Sequence, residues 1–374
     1  LMNLGRLKLF YLLSASWLVI VSWGAIRNFP LLGLIILPVL TENFMAAREH
    51  FSKYFAKWER WRWRGVWRLL TIAVIFVILS TSIYAVATNR FYRRSMRSEQ
   101  FGLLVPVGAE AAVDFLKQNK IAGPLFNNFD IGSYLIWRLW PEHPVFVDGR
   151  PEAYPSQFLQ DVYIPMQTDG ATWQKYADEV YKINLVFFAH TDATPWGQEF
   201  LRQMSQRQGW VMVYLDSTVA IWARDNEVNQ DLISRFALNE NNLNQYIIKQ
   251  LATNDFFDAL RLGAFFQNIG FDDLALQSFD RVLELNQDVK QAWLVAGTLY
   301  GVKGETSRSQ SYFEKAIKLD DQYVDAYLQL GKLHYQQGNF SEARRAWQRA
   351  SEIEPGNVAA RAYLDSMGLI PFKK

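Results

Sequence analysis

The 374-residue sequence contains no cysteine and only four histidines. The absence of cysteine excludes disulfide bonds, thiolate zinc sites, iron–sulfur clusters and a cysteine nucleophile. The histidines lack metal-ligand spacing and are more typical of surface or packing positions; they are His50, His143, His190 and His334. The sequence also lacks GxGxxG, GxxxxGK[ST], GxSxG and HExxH motifs. We therefore identify no catalytic residue, no metal site and no cofactor from the sequence.

An excess of charge of one sign is also lacking. The formal net charge is +2, from 39 basic and 37 acidic residues. So small an imbalance argues against nucleic acid as the main partner. The mean hydropathy of −0.09 averages an apolar N-terminal region and a polar C-terminal third.

Long uncharged apolar runs occur in the N-terminal region, residues 1–98. Runs at about 9–26 and 69–88 approach the ~20 residues that a membrane-spanning helix needs. A third run, at about 29–47, contains two prolines and Glu42, and a re-entrant segment is the alternative for it. The pattern predicts N-terminal transmembrane α-helices in a lipid bilayer.

The charged residues around these runs indicate an orientation. Residues 48–68 contain seven basic side chains and only two acidic ones, which is typical of a cytoplasmic loop. Four tryptophans in the same stretch fit a belt at the lipid headgroups. The sequence thus predicts an integral membrane protein of the bacterial inner-membrane type, with residues after about 88 outside the cytoplasm. Four arginines between residues 90 and 97 oppose this orientation.

Strand and helix patterns alternate in the middle region, residues 99–225. Short apolar runs predict strands at 124–129, 145–147 and 183–189, and a hairpin over 210–223. Amphipathic stretches predict helices at 109–120, 131–140 and 196–207. This alternation predicts a small α/β extracytoplasmic domain with a core of its own. A polar helical linker is predicted at 226–255.

Two polar clusters follow predicted strands in this domain. Because polar residues at the carboxyl ends of neighbouring strands often line a ligand crevice, they are candidate ligand or acceptor contacts. The alternative is structural: the aspartates cap turns or helices and pair with the arginine. The candidate residues are Asn127, Asn128, Asp130, Asp148, Arg150 and Tyr154.

The stretches 124–137 (PLFNNFDIGSYLIW) and 144–150 (PVFVDGR) resemble a known family. They are similar to the extracytoplasmic domain of bacterial C-type glycosyltransferase-like membrane proteins, themselves related to dolichyl-phosphate-mannose-protein mannosyltransferases and the oligosaccharyltransferase catalytic subunit. The resemblance covers roughly residues 25–225 and implies a polyprenyl-phosphate-linked sugar as a partner. The acceptor motif WWDYG corresponds here to Asn128-Phe129-Asp130-Ile131-Gly132, without the tryptophan pair. The family's catalytic acidic residues lie in earlier loops, so any transferase activity would depend on residues upstream of this chain.

A 34-residue period begins at residue 256. Glycines recur at two positions of this period, which we call the two glycine phases, and aromatic residues recur at other positions. The pattern resembles the tetratricopeptide repeat. The first phase is Gly263, Gly297 and Gly331, and the second is Gly270, Gly304 and Gly338. The pattern predicts a C-terminal all-α solenoid over 256–368, with repeats at 256–289, 290–323 and 324–357. A final helix carrying Leu364 is expected to cover the end of the stack.

By the geometry of such repeats, the first helix of each pair lines a concave groove that holds an extended segment of a partner. The residues predicted to line it are Phe257, Leu260, Ala264, Leu294, Thr298, Leu328, Lys332 and Tyr335. The lysine and asparagine set that binds a free C-terminal carboxylate is missing, which favours an apolar or mixed protein or peptide partner. The alternative is that the array packs on its own membrane region or on a second copy.

Two functions remain open at this point. The first is the C-terminal part of a glycosyltransferase-like membrane protein that positions an acceptor or a lipid-linked donor outside the cytoplasm. The second is a membrane-anchored tetratricopeptide-repeat scaffold without catalytic activity.

Overall fold

The structure is a computed structural model that describes residues 109–121 and 123–368, together with separate helical positions between Val66 and Tyr84. The chain divides into two compact units, Leu1–Phe101 and Gly102–Lys374. The second unit contains all of the elements that follow.

The predicted fold class needs correction in its N-terminal part. None of the helices within the described residues combines the length and apolar character required to cross a bilayer. A spanning helix needs about 20 mostly apolar residues because the hydrocarbon core is about 30 Å thick. The predicted spans 9–26 and 29–47 lie outside the described residues, and of 69–88 only separate positions such as Leu69, Val77 and Tyr84 are described. The structure therefore does not support N-terminal transmembrane helices, and it shows instead a mostly helical chain with a repeat solenoid at its C-terminal end.

A four-stranded mixed sheet forms the centre of the middle region. Its strands are β1 (Leu125–Asn127), β2 (Leu185–Ala189), β3 (Trp210–Leu215) and β4 (Val219–Arg224), in the order β1-β2-β4-β3. β1 runs parallel to β2, and β4 is antiparallel to both β2 and β3. The predicted strands at 124–129 and 183–189 and the predicted hairpin are confirmed.

Helices cover both faces of this sheet. Side chains alternate along β2, so Val186 and Phe188 enter one core while Leu185 and Phe187 enter the other. The second core also receives α1 (Ala109–Gln118) and α2 (Phe129–Leu139). The first core receives α3 (Pro195–Ser205) through Phe200, which is fully buried. Burial on both faces explains why β2 reads as a continuous apolar run, and the predicted α/β layer is confirmed.

The connection from α2 to β2 differs from the sequence prediction. Residues 145–147 do not form a strand, and the chain from 151 to 180 is largely helical. Tyr163, Met166 and Trp173 point from these helical turns into the first core. The irregular helical period, with π turns inside it, explains why no regular helix was predicted here. The turns are Pro151–Ala153, Ser156–Phe158, Leu159–Tyr163, Ile164–Thr168, Gly170–Trp173 and Gln174–Val180.

The segment predicted as a linker, 226–255, contains α4 (Gln230–Phe236) and α5 (Leu243–Gln250). Both are packed on the sheet region. The hydroxyl of Tyr246 donates a hydrogen bond to the Leu215 carbonyl at 2.7 Å, and Ile247 is fully buried. This segment therefore joins the sheet to the repeats as part of one compact unit.

The C-terminal third consists of antiparallel helix pairs, as the 34-residue period predicts. The first helices of the repeats are α6 (Phe256–Ile269), α8 (Lys290–Val302) and α10 (Val324–Gln336). The second helices are α7 (Asp272–Leu285), α9 (Thr306–Leu319) and α11 (Phe340–Ile353). A final helix, α12 (Val358–Gly368), follows, and Leu364 packs with Trp347 and Met367 in the last core cluster. The prediction that Leu364 covers the end of the stack is confirmed.

The two glycine phases have separate physical causes. Glycines of the first phase lie against the aromatic ring of the second helix in the same repeat. A Cβ atom would lie 3.1 Å from the Phe279 ring at Gly263, 2.9 Å from Phe313 at Gly297 and 2.3 Å from Trp347 at Gly331. Glycines of the second phase end the first helices in the left-handed region, with φ of +82° at Gly270, +81° at Gly304 and +77° at Gly338.

Candidate functional site

The predicted groove residues differ widely in their exposure. Phe257 and Leu328 are each only 8% exposed, so most of their surface is buried within the repeat array. Leu260, Leu294 and Thr298 are half-buried, whereas Ala264, Lys332 and Tyr335 are exposed. The exposed part of the predicted groove therefore lies mainly on α10.

A recess of about 90 Å³ lies between α8 and α10 and contains two of the predicted residues, Thr298 and Lys332. Ser309 and Phe313 of α9 contribute to its lining. The Ser309 hydroxyl is buried and makes no hydrogen bond to any described residue. Val302 lines the same recess and is 71% exposed. The recess therefore combines an exposed apolar side chain, an exposed cation and a buried hydroxyl that has no hydrogen bond to a described residue.

A cluster of aromatic rings lies between the C-terminal end of α10 and α11. The Tyr335 ring lies 5.4 Å from that of Phe340 and 5.8 Å from that of Trp347, measured between centroids. Tyr335 and Phe340 are each 37% exposed, and Trp347 is 2% exposed. An apolar side chain of a partner would find one ring anchored by the core and two accessible rings beside it.

In the α/β region, Asn127 fixes the segment that was predicted as a strand. Its side-chain amide donates to the Val147 carbonyl at 2.8 Å, and its side-chain oxygen accepts from the Phe146 amide at 2.9 Å. One side chain thus satisfies a donor and an acceptor that a neighbouring strand would otherwise satisfy.

Asn128 makes a similar connection to the end of β2. Its side-chain oxygen accepts from the Ala189 amide at 3.0 Å, and its side-chain nitrogen donates to Asp192 Oδ2 at 3.2 Å. Asn127 and Asn128 are both fully buried. These two candidate ligand contacts therefore form hydrogen bonds within the domain.

Asp148 and Arg150 form an ion pair. The Arg150 Nε atom donates to Asp148 Oδ1 at 3.0 Å, and Nη2 donates to Oδ2 at 2.5 Å. The hydrogen bond from Arg150 lowers the pKa of Asp148 below its usual value, whereas burial raises the pKa of the nearby Tyr154. The Tyr154 hydroxyl accepts from the Asp148 amide at 3.0 Å. The Asp148 side chain is 3% exposed and that of Arg150 is 64% exposed, so only the arginine has an accessible face.

Asp130 lies outside this ion pair. Partial burial is the larger cause that raises the pKa of the Asp130 carboxyl, and the negative charge of nearby Asp192 is the smaller one. The expected cluster of Asp130, Asp148 and Arg150 is thus divided: two members bond each other, and the third lies near Asp192 at the end of β2. Within the described part of the chain, no three His, Asp or Glu side chains are grouped so that they could hold a metal ion.

A contact surface that the sequence analysis did not identify joins the α/β region to the first repeat. The ring of His190, just after β2, lies 4.7 Å from that of Phe265 on α6. Arg261 Nε donates to the Ser217 carbonyl at 3.1 Å, and Asn268 Nδ2 donates to the Gln198 carbonyl at 2.9 Å. We call these residues the docking interface. The spacing of Arg261, Phe265 and Asn268 on one side of α6 is the only sequence signal for it.

Comparisons with known proteins gave one family match and several similar solved structures. A family model described as tetratricopeptide repeat matches residues 302–364. Among solved structures, the chain is similar to a crystal structure of MamA, with 24% identity over 33% of this chain and 72% of that chain, at a TM-score of 0.31. It is also similar to the first tetratricopeptide domain of Spaghetti (RPAP3) bound to an HSP90 peptide, with 21% identity over 30% and 93% of the two chains, at a TM-score of 0.29. The second tetratricopeptide domain of human RPAP3, in complex with an HSP70 peptide, gives 20% identity over 30% and 93%, also at 0.29. No curated protein sequence matches the chain.

The family match and the glycine–aromatic contacts together identify the C-terminal third as tetratricopeptide repeats. This part of the chain is a protein–protein interaction scaffold.

Proposed function

We propose that the array holds an extended segment of a partner protein along α8 and α10, with an apolar side chain of that segment seated in the recess. The observation that carries this proposal is the recess itself, where exposed Val302 lies beside exposed Lys332. An apolar side chain on the partner would cover Val302, at about 25 cal/mol per Å² of buried surface. Lys332 makes no ion pair with a described residue, so an acidic group next to that side chain would find a free cation.

The test uses the full chain with a photo-crosslinking amino acid placed at one position at a time. Val302 and Gln336 line the recess, whereas Ser311 and Lys318 lie on the exposed side of α9. We expect a defined crosslinked partner from the first pair and none from the second.

A substitution that fills the recess provides the second half of the test. Thr298→Trp should abolish the crosslink from Gln336, while Ser311→Trp should leave it unchanged. Lys332→Glu should weaken the interaction, and the matched change Lys318→Glu should not. Equal crosslinking from both sides of the array, or a crosslink that persists in Thr298→Trp, would contradict the proposal.

A link to glycosyltransferase-like proteins is a separate proposal, supported by the resemblance over residues 25–225 and by the exposed guanidinium of Arg150. In this proposal Arg150, with Tyr154 beside the same ion pair, contacts an acceptor or a polyprenyl-phosphate-linked sugar, because a guanidinium binds phosphate in a bidentate manner. Arg150→Ala should lose binding of a polyprenyl-phosphate-linked sugar while the chain stays folded. A loss of stability with unchanged binding would assign Arg150 a structural role only.

The location of residues after about 88 outside the cytoplasm is likewise a proposal, supported by the excess of basic residues between 48 and 68. Reporter fusions after Lys120 and after Asn241 should both report export. Cytoplasmic reporter activity at both points would overturn it.

A further inference from the structure

A second pocket, of about 390 Å³, lies where α1, β3, α4 and α5 meet. Four aromatic side chains contribute to its wall, and they are Phe115, Tyr214, Phe236 and Tyr246. None of its lining residues belongs to the repeats, so it is separate from the recess between α8 and α10. Its volume lies within the range of small-molecule sites in proteins.

The aromatic wall is held in place by contacts within the domain. The Phe115 ring lies 5.0 Å from that of Tyr214 and 5.1 Å, edge-on, from that of Phe236. The Tyr214 hydroxyl donates to Asp216 Oδ2 at 2.8 Å, and the Tyr246 hydroxyl donates to the Leu215 carbonyl at 2.7 Å. Burial raises the pKa of both phenols, so they stay neutral. The wall is therefore preorganised, and its polar ends are already bonded.

The charged residues of the pocket are of one sign. Arg235 and Lys249 line it, and none of the described residues that line it is acidic. The Arg235 guanidinium lies 5.0 Å from the Phe236 ring centroid and pairs at 3.1 Å with Asp231, whose side chain is 82% exposed. An ion pair so exposed contributes little and can be exchanged for another anion. Lys249 makes no ion pair with a described residue.

The free edge of the sheet is covered beside the pocket. The Leu238 amide donates to the Met212 carbonyl of β3 at 2.8 Å. An added peptide strand therefore cannot pair with β3 at Met212, which favours a small ligand over a β-strand as the occupant.

We propose that this pocket binds a small amphipathic carboxylate. Its aromatic or aliphatic body would lie against Phe115, Tyr214 and Phe236, and its carboxylate would lie between Arg235 and Lys249. The apolar wall supplies most of the affinity, and the two cations select the anion over a neutral molecule of the same shape.

The test measures calorimetric binding of indole-3-propionate and of decanoate to the full chain. We expect at least one of them to bind, and its neutral amide to bind at least about tenfold more weakly, because one charge-assisted hydrogen bond contributes roughly 1.5 kcal/mol or more. Lys249→Gln should weaken binding, whereas the matched change Lys318→Gln, on the exposed side of α9, should not. Gln245→Trp, at an exposed position of α5 that lines the pocket, should abolish binding by filling it.

The thermal unfolding midpoint of each variant checks that it is folded, and the substituted positions Lys249 and Gln245 are both exposed. Absence of binding by both carboxylates would overturn the proposal. So would equal affinity for acid and amide, or binding that survives Gln245→Trp. Because Lys249 and Gln245 both lie outside the repeats, failure here is distinguishable from failure of the groove proposal.

Discussion

At the scale of single residues, Gly331 shows how tightly the last repeat is packed. A Cβ atom at this position would lie 2.3 Å from Trp347 Nε1, which itself donates to the Leu328 carbonyl at 3.1 Å. We expect Gly331→Ala to lower the free energy of unfolding by about 2 kcal/mol, because overpacking outweighs the gain of about 1 kcal/mol in helix propensity. Denaturant unfolding of the full chain measures this. The control is Gly356→Ala, where an added Cβ atom would have no described residue within 4 Å apart from its chain neighbours. An equal loss in both variants would contradict the packing argument.

His190 is the residue at which pH should act. Burial lowers its pKa to about 4 from the usual 6.5, so the folded chain holds the ring neutral. At pH values between 4 and 6.5, the His190 ring is protonated in the unfolded chain and neutral in the folded chain. The free energy of unfolding therefore falls by on the order of 3 kcal/mol as pH decreases from about 6.5 to about 4. The buried carboxyl of Asp216, whose pKa is raised, opposes this trend. The measurement is the difference in slope of unfolding free energy against pH between the native chain and His190→Gln, and identical slopes would refute the prediction.

Residues also show where sequence reasoning stops. Asn127 and Asn128 were predicted as ligand contacts because polar residues often follow strands at a binding crevice. Their actual partners lie 20 and 61 residues away along the chain, at Val147 and Ala189. A local sequence pattern does not predict hydrogen-bond partners that lie so far away along the chain. By contrast, Gly331 and Trp347 lie within one 34-residue period, so the repeat itself predicts their contact.

At the scale of elements, the segment 145–147 depends on one side chain. Asn127→Ala would leave the Phe146 amide and the Val147 carbonyl without their hydrogen bonds to its side chain. We expect a loss of about 2–4 kcal/mol in unfolding free energy, since each unsatisfied buried group costs roughly 1–3 kcal/mol. Faster hydrogen exchange at the Phe146 amide should accompany this loss. Asn244→Ala, at an exposed position of α5, is the control, and unchanged exchange at Phe146 would show that other contacts hold the segment.

Elements were predictable where their period was regular. The helices of the repeats and the buried strand β2 follow patterns that one window of sequence contains. The helical stretch between 151 and 180 was missed because π turns, as in Leu159–Tyr163 and Gln174–Val180, shift the apolar face away from a 3.6-residue period.

At the scale of the whole molecule, the docking interface makes the sheet region and the repeats one compact unit. One core cluster extends from Phe188 in β2 through Phe200 to Phe265 on α6. The α/β region thus covers the face of α6 that another repeat would otherwise cover, and exposed apolar ends are costly in repeat arrays. Burial of that face predicts that the sheet and the first repeat unfold together.

Phe265→Ala tests this coupling. The side chain is 2% exposed, and its loss should cost about 3–5 kcal/mol through the cavity that it leaves. Because the ring contacts both parts, protection against hydrogen exchange should fall in β2 as well as in α6. Phe340→Ala, at a 37% exposed ring on α11, should change protection in neither β2 nor α6. A shared core transmits destabilisation to every element that it contains. Loss of protection confined to the repeats would therefore contradict the coupling and show that the sheet region is stable without them.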